Sequence, residues 1–224
     1  MVPIFAAISY YAMATGQGTL TLANGREMYF ARCLDWVVTT PLLLLGLSLT
    51  ALKSPFRRWA VLLGVLATDM IMIVTGAFAD ASPSGSVVKW TWFIISSGAF
   101  VFIYVSLFGT LGREAVKSGE DAAKVFTTNR NILGLIWLAY PFVFLFGPEG
   151  MGSIATATSL LLYMALDVTA KVIFGVFSLR NTKARTDREL AKALIPPADM
   201  RPAAVAYAEA RVVAPSVNEA RRRA

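Results

Sequence analysis

Histidine is absent from all 224 residues. That absence excludes a Ser-His-Asp triad, a zinc-binding histidine helix and a histidine proton relay together. Any proton chemistry in this chain must therefore use carboxylates, lysine, tyrosine or water. Cysteine is nearly absent as well: Cys33 stands alone, can close no internal disulfide and has no neighbour at ligand spacing, so no metal site is expected. Charge is scarce, at 16 % of residues against 56 % hydrophobic, and the mean hydropathy is +0.60, values far from those of ordinary soluble domains. The formal charge of +7 comes without a basic motif interleaved with aromatics, because Lys and Arg fall between apolar blocks and in the tail. A nucleic-acid partner is not expected; a lipid bilayer is.

What is present is a series of apolar blocks, running roughly over 1–15, 34–52, 59–79, 90–111, 131–146 and 154–179. Most approach the ~20 residues that a membrane-spanning helix needs, whereas barrel strands would alternate over about half that length. At ~1.5 Å per residue the first block reaches only ~22 Å of a ~30 Å hydrocarbon core. A secretory leader is disfavoured there, since the block has no cationic start and carries Tyr10 and Tyr11. Cations gather after the second block (Lys53, Arg57, Arg58), after the fourth (Arg113, Lys117, Lys124, Arg130) and after the last (Arg180, Lys183, Arg185, Arg188). By the positive-inside rule these regions face the cytoplasm, and the gaps around residues 24–26, 80–89 and 147–152 face outward. The predicted organisation is a transmembrane bundle over 1–180 in the plasma membrane and a mobile cytoplasmic tail over 181–224. The tail's Ala, Arg, Glu and Pro content, with Pro196 and Pro197 and with Arg221, Arg222 and Arg223, supplies no core.

Charges at bilayer depth are costly and rarely kept without a task. Five charged residues fall at that depth, within the blocks or at their edge: Arg32, Asp35, Asp69, Asp167 and Lys171. Asp167 and Lys171 are four apart, so both project from one helix face. They can form a buried ion pair that merely holds the bundle. Alternatively, a lysine in an apolar pocket can attack an aldehyde to give a Schiff base, which then needs a nearby carboxylate to carry its proton. Asp35 beside Arg32 supplies a second carboxylate. Trp36, Trp92, Phe93, Trp137, Tyr140 and Phe144 offer aromatic walls, although aromatics in membrane proteins often mark only interfaces or packing.

The run Arg32-Cys33-Leu34-Asp35-Trp36-Val37-Val38-Thr39-Thr40-Pro41 resembles the third-helix signature of microbial rhodopsins. Leu166-Asp167-Val168-Thr169-Ala170-Lys171 resembles the retinal-lysine motif of that family, and Trp137-Leu138-Ala139-Tyr140-Pro141 resembles its sixth-helix motif. Further similarity lies over residues 8–14 and 69–76, so the resemblance runs from about Val2 to Leu179. It implies an all-α membrane protein, a seven-helix rhodopsin-type bundle of which about six segments are present here, with the first helix and part of the second missing. A pocket open on one side is then expected.

The resemblance also implies all-trans retinal joined to Lys171 as a Schiff base. Asp35 would be the primary counterion and proton acceptor, Asp167 the second counterion, and Arg32 the outward gate. Tyr10 and Tyr140 would hydrogen-bond the counterions and Thr39 would hydrogen-bond Asp35. The retinal-binding residues would include Trp36, Thr40, Leu43, Asp69, Met72, Gly76, Phe93, Ser96, Ser97, Trp137, Pro141 and Phe144. Leu43 is similar to the green-absorbing members, and Phe93 replaces a tryptophan usual in the pocket.

Two departures bear on function. Gly46 stands eleven residues after Asp35, where the best-known pumps of the family carry an internal proton donor. The triplet Asp35, Thr39, Gly46 thus resembles a bacterial subgroup of outward proton pumps. Water entering past Gly46 would then supply the proton, unless the glycine serves only close helix packing. Glu149 matches one member of an outward proton-release pair while Ser159 stands at the other, so late release is expected. The expected function is a light-driven outward proton pump, working with protons and internal water and assembling as a homo-oligomer. Its rivals are a sensory rhodopsin signalling to a transducer, with the tail as contact, and a non-photoactive opsin-like protein, against which Lys171 argues. Enzyme activity is not expected, and Asp35 disfavours chloride transport.

Overall fold

The computed structural model describes residues 1–53 and 58–194. Arg57, the Pro196-Pro197 pair and Arg221, Arg222 and Arg223 lie outside the described residues. The chain divides into the units Met1–Thr182 and Lys183–Ala224.

Among the described residues six helices make up the architecture: α1 Val2–Ala14, α2 Phe30–Ala51, α3 Trp59–Ala81, α4 Val87–Lys117, α5 Glu120–Phe146 and α6 Thr156–Ala193. All but α1 are long and apolar enough to cross a membrane. A short hairpin, β1 Leu20–Thr21 and β2 Glu27–Met28, interrupts the helical pattern between α1 and α2, with Leu20 opposite Met28 and Thr21 opposite Glu27. The neighbours run in sequence, α1 on α2, α2 on α3, α3 on α4, α4 on α5 and α5 on α6, and α6 returns to α1. α2 also touches α5, which makes it the element from which most of the interior is reached. Large apolar side chains such as Ile8, Leu63, Ile94, Leu135 and Leu161 remain exposed on the perimeter. A bilayer, unlike water, accepts that surface, and the chain is a multi-pass membrane protein.

Three helices outrun their apolar blocks. α4 continues to Lys117 and α5 starts at Glu120, so the broad cationic loop read between them shrinks to Ser118 and Gly119, the latter at φ 110°, where only glycine turns without strain. Buried Ala115, Ala122, Val125 and Phe126 explain the extension, for they carry a helical apolar stripe past the block ends. α6 likewise runs to Ala193. Residues 181–193, read from composition as a mobile tail, are helical and carry the i,i+4 pairs Lys183–Asp187 at 2.6 Å and Arg185–Glu189 at 2.8 Å.

The apolar core occupies the end of the bundle away from the hairpin, where Leu44, Leu47, Leu107, Leu111, Phe126, Leu133 and Phe174 pack together. Polar burial concentrates between that core and the hairpin end.

Candidate functional site

On α6, Ser159, Tyr163, Asp167 and Lys171 recur every fourth residue, and all four are buried. At Lys171 the helix widens into a π-turn over Thr169–Ile173, a local irregularity frequent at functional sites. The Lys171 ammonium forms an ion pair with the Asp35 carboxylate and lies 3.0 Å from Asp167 Oδ1. Lys171 is 3 % exposed, Asp35 0 % and Asp167 2 %, so one buried cation faces two buried carboxylates, a trio with one negative charge in excess.

The two carboxylates differ in what surrounds them. Asp167 accepts hydrogen bonds from Tyr10 (2.7 Å), Tyr140 (2.8 Å) and the Trp36 indole (3.1 Å) besides its contact with Lys171. Asp35 Oδ1, by contrast, is buried with no hydrogen-bond partner among the described residues. The Thr39 hydroxyl bonds Asp35 through its main-chain carbonyl, donating at 2.8 Å, one helical turn back. A threonine in a helix interior commonly satisfies its single hydroxyl hydrogen in this way.

A cavity opens beside Lys171. Among the residues expected there, Trp36, Thr40, Leu43, Met72, Gly76, Phe93, Ser96, Ser97, Trp137, Tyr140, Pro141 and Phe144 line it. Phe93 and Phe144 stack at 5.1 Å, so the apolar wall persists with phenylalanine at 93. At Gly76 a Cβ would stand 3.2 Å from Ser96 Oγ, and the Ser96 hydroxyl is already committed to the Met72 carbonyl at 2.8 Å; the absent side chain lets α3 and α4 close. Two residues expected at the wall stand behind it. Asp69 is fully buried and bonded to the Thr40 hydroxyl at 2.8 Å, and the Tyr10 hydroxyl donates to Asp167. Ile73, Ala77, Phe100, Tyr163 and Ala170 also line the cavity without being singled out in the sequence, and Arg32, Cys33, Asp80 and Asp167 border it as well.

The hairpin end holds a second charged cluster. Arg32 Nη2 lies 2.8 Å from Glu149 Oε1 and 3.7 Å from Asp80 Oδ2, and its guanidinium carbon stands 4.0 Å over the Tyr163 ring. Ser159 reaches Glu149 Oε2 at 3.4 Å. Asp80 and Lys89, read from the sequence as residues of an outward loop, are 3 % and 0 % exposed. The Lys89 ammonium donates to the carbonyls of Ala79 (2.9 Å) and Glu149 (2.6 Å), tying the end of α3 to the α5–α6 loop. Because charge-assisted bonds are worth about 1.5–3 kcal/mol each and Lys89→Met removes two of them, leaving the Ala79 carbonyl only its bond from the Ser82 N–H, that variant is expected to lose about 2–4 kcal/mol of stability. Equilibrium unfolding in mixed detergent, followed by circular dichroism, checks it.

Gly46 lies on an exposed face of α2, and a Cβ there would meet nothing within 4 Å. Among the described residues no helix packs closely on this glycine.

The chain matches the family model described as bacteriorhodopsin-like protein over residues 1–184. A "Sensory rhodopsin" of Halorubrum sodomense is 39% identical over 84% of this chain and 70% of its own length. The thermophilic rhodopsin of Rubrobacter xylanophilus has a structure that matches with TM-score 0.79 at 40% identity, covering 83% of this chain and 81% of that one. The light-driven proton pump LR (Mac) of Leptosphaeria maculans matches with TM-score 0.74 at 32% identity, over 82% and 78% of the two chains. With a buried lysine between two carboxylates on the elements that carry the motifs, and with this extent of similarity, the chain belongs to the bacteriorhodopsin-like family of microbial rhodopsins.

Proposed function

We propose that the chain is a light-driven outward proton pump carrying all-trans retinal as a Schiff base on Lys171. The observation that carries this reading is the pairing of a buried lysine with Asp35, whose second carboxylate oxygen has no hydrogen-bond partner among the described residues. An apolar cavity with aromatic lining and one amine at its wall suits a long unsaturated aldehyde. Retinal, when bound, supplies light absorption and a shape change that alters the surroundings of the proton on Lys171 Nζ.

The residues of the chain then divide the work. Asp167, which accepts from Tyr10, Tyr140 and Trp36, is the fixed counter-charge. Asp35 has a lone pair free and is the residue to receive the proton. The route onward leads toward Arg32 and Glu149 at the hairpin end, which is assigned to the outside because Lys53, Arg58, Arg113 and Lys117 gather at the other end. The C-terminus is accordingly cytoplasmic.

Return of a proton to Lys171 must cross the Leu44, Leu47, Leu107 and Leu133 layer with no carboxylate at position 46, so water supplies it. The recovery rate after a flash is expected to fall about tenfold per unit rise in pH, as a reaction first order in bulk protons does. Gly46→Asp is expected to hasten recovery and flatten that dependence; flash photolysis across pH checks both.

The resemblance to a protein named a sensory rhodopsin supports a second reading, in which the same light chemistry signals to a partner. Recording external pH from illuminated, retinal-loaded cells or vesicles with and without a protonophore separates the two. Acidification abolished by the protonophore is the pump's result, and a photocycling pigment with no pH change is the sensor's.

A further inference from the structure

Arg32 precedes Asp35 by three residues on α2, so helical spacing alone would let its guanidinium turn toward that carboxylate. Instead it points to the hairpin end: it contacts Glu149 and Asp80, and among the described residues no hydrogen bond or ion pair joins it to Asp35 or Asp167. Its Nε and Nη1 are buried without hydrogen-bond partners, so the side chain is not held there by having satisfied every donor. What holds it is carboxylate on that side, together with the Tyr163 ring 4.0 Å beneath the guanidinium carbon. Glu149 is anchored through its own carbonyl by Lys89. Asp80 is anchored by Arg26 from the β1–β2 hairpin, whose Nη1 lies 2.8 Å from Asp80 Oδ1 while its Nη2 donates to the Asp80 main-chain carbonyl. This two-point grip fixes a carboxylate within reach of Arg32.

We propose that Asp80, held by Arg26, is a positioning residue that keeps Arg32 turned to the hairpin end and thereby sets how readily Asp35 takes up a proton. The proposal rests on the reading of Asp35 as the proton acceptor. Asp35 is faced by Lys171 and Asp167 from α6, with the Tyr10 and Tyr140 hydroxyls bound to Asp167 from α1 and α5. On α3 the Asp69 carboxyl is held by Thr40. Arg32 is therefore the one further cation on the Asp35 helix near enough to change the balance by turning. A cation brought closer stabilises the ionised carboxylate, and one held away leaves it easier to protonate. Loss of the Asp80 contact frees Arg32 to turn inward, so Asp35 should then hold its proton less tightly.

Titrating the dark colour of the retinal-loaded protein reads this directly, because protonation of Asp35 removes a charge beside the chromophore. Asp80→Asn alone also deletes a negative charge, which by itself would lower the midpoint. The double variant R26Q/D80N removes one charge of each sign and leaves the net charge unchanged. Its acid colour transition is expected to fall by about one pH unit, a tenfold weaker proton affinity, and Asp80→Glu is expected to keep the midpoint near that of the unaltered protein. An unmoved midpoint in R26Q/D80N with a lowered one in D80N means that charge alone acts, and overturns the proposal. Should the double variant form no pigment, an unmoved midpoint in D80N overturns it equally. If the unaltered pigment shows no acid transition that Asp35→Asn removes, the reading of Asp35 fails and the proposal with it.

Discussion

With Lys171 changed to alanine, the purified chain is expected to develop no visible absorption band on mixing with all-trans retinal, at any retinal concentration. Lys171 brings the buried primary amine to the cavity wall, and an amine is needed to condense with an aldehyde. The same substitution leaves Asp35 and Asp167 buried with their shared cation gone, and breaking a buried pair in this way costs about 3–5 kcal/mol. Lys171→Arg separates the two effects. A guanidinium keeps the positive charge between the carboxylates but forms no Schiff base, so K171R should recover most of the lost stability and none of the colour. Absorption spectra and unfolding midpoints of the two variants, taken side by side, check this; colour in either would show that retinal binds elsewhere.

Asp35→Asn is the second large effect. The pigment should still form, since Asp167 remains 3.0 Å from the lysine nitrogen with its three hydrogen-bond donors in place. Light-driven acidification should fall at least about a hundredfold, the ordinary loss when a positioned proton acceptor is removed. Absorption should move to longer wavelength, because one negative charge that localises the positive charge at the lysine end is gone. Transport measured per mole of pigment keeps poor expression from passing for lost function.

Much of this site is legible from spacing. Asp167 and Lys171 declare a shared face through their i,i+4 separation, and Arg32, Asp35, Trp36, Thr39 and Thr40 declare another. Prolonging the α6 series backward by the same step reaches Tyr163 and Ser159, so the aromatic platform beneath Arg32 could have been found by the rule that found the ion pair. Asp80 and Lys89 were harder to read. They flank a segment with Ser82, Pro83, Ser84 and Gly85, whose composition signals a solvated turn. Their burial is decided by tertiary partners, Arg26 on the hairpin and Glu149 in a distant loop, and no local pattern encodes those. The ends of α4, α5 and α6 lie beyond the apolar blocks for a related reason. Mean hydropathy finds the lipid-facing part of a helix, but the chain stays helical beyond the bilayer wherever a stripe such as Ala122, Val125 and Phe126 continues to pack. The side chain of Thr39 shows the limit at finer scale. Its place on the Asp35 face is sequence information, whereas the choice between the carboxylate and the main-chain carbonyl is settled by a single hydroxyl hydrogen.

The transfer of a proton from Lys171 to Asp35 is the step on which the account depends, and a light-minus-dark infrared difference spectrum of the retinal-loaded protein observes it most directly. A carboxylic-acid carbonyl band is expected to appear after the flash, to shift on 13C labelling of aspartate and to be absent from Asp35→Asn. A band that survives in D35N and disappears in D167N would place the acceptor on α6 and contradict that transfer.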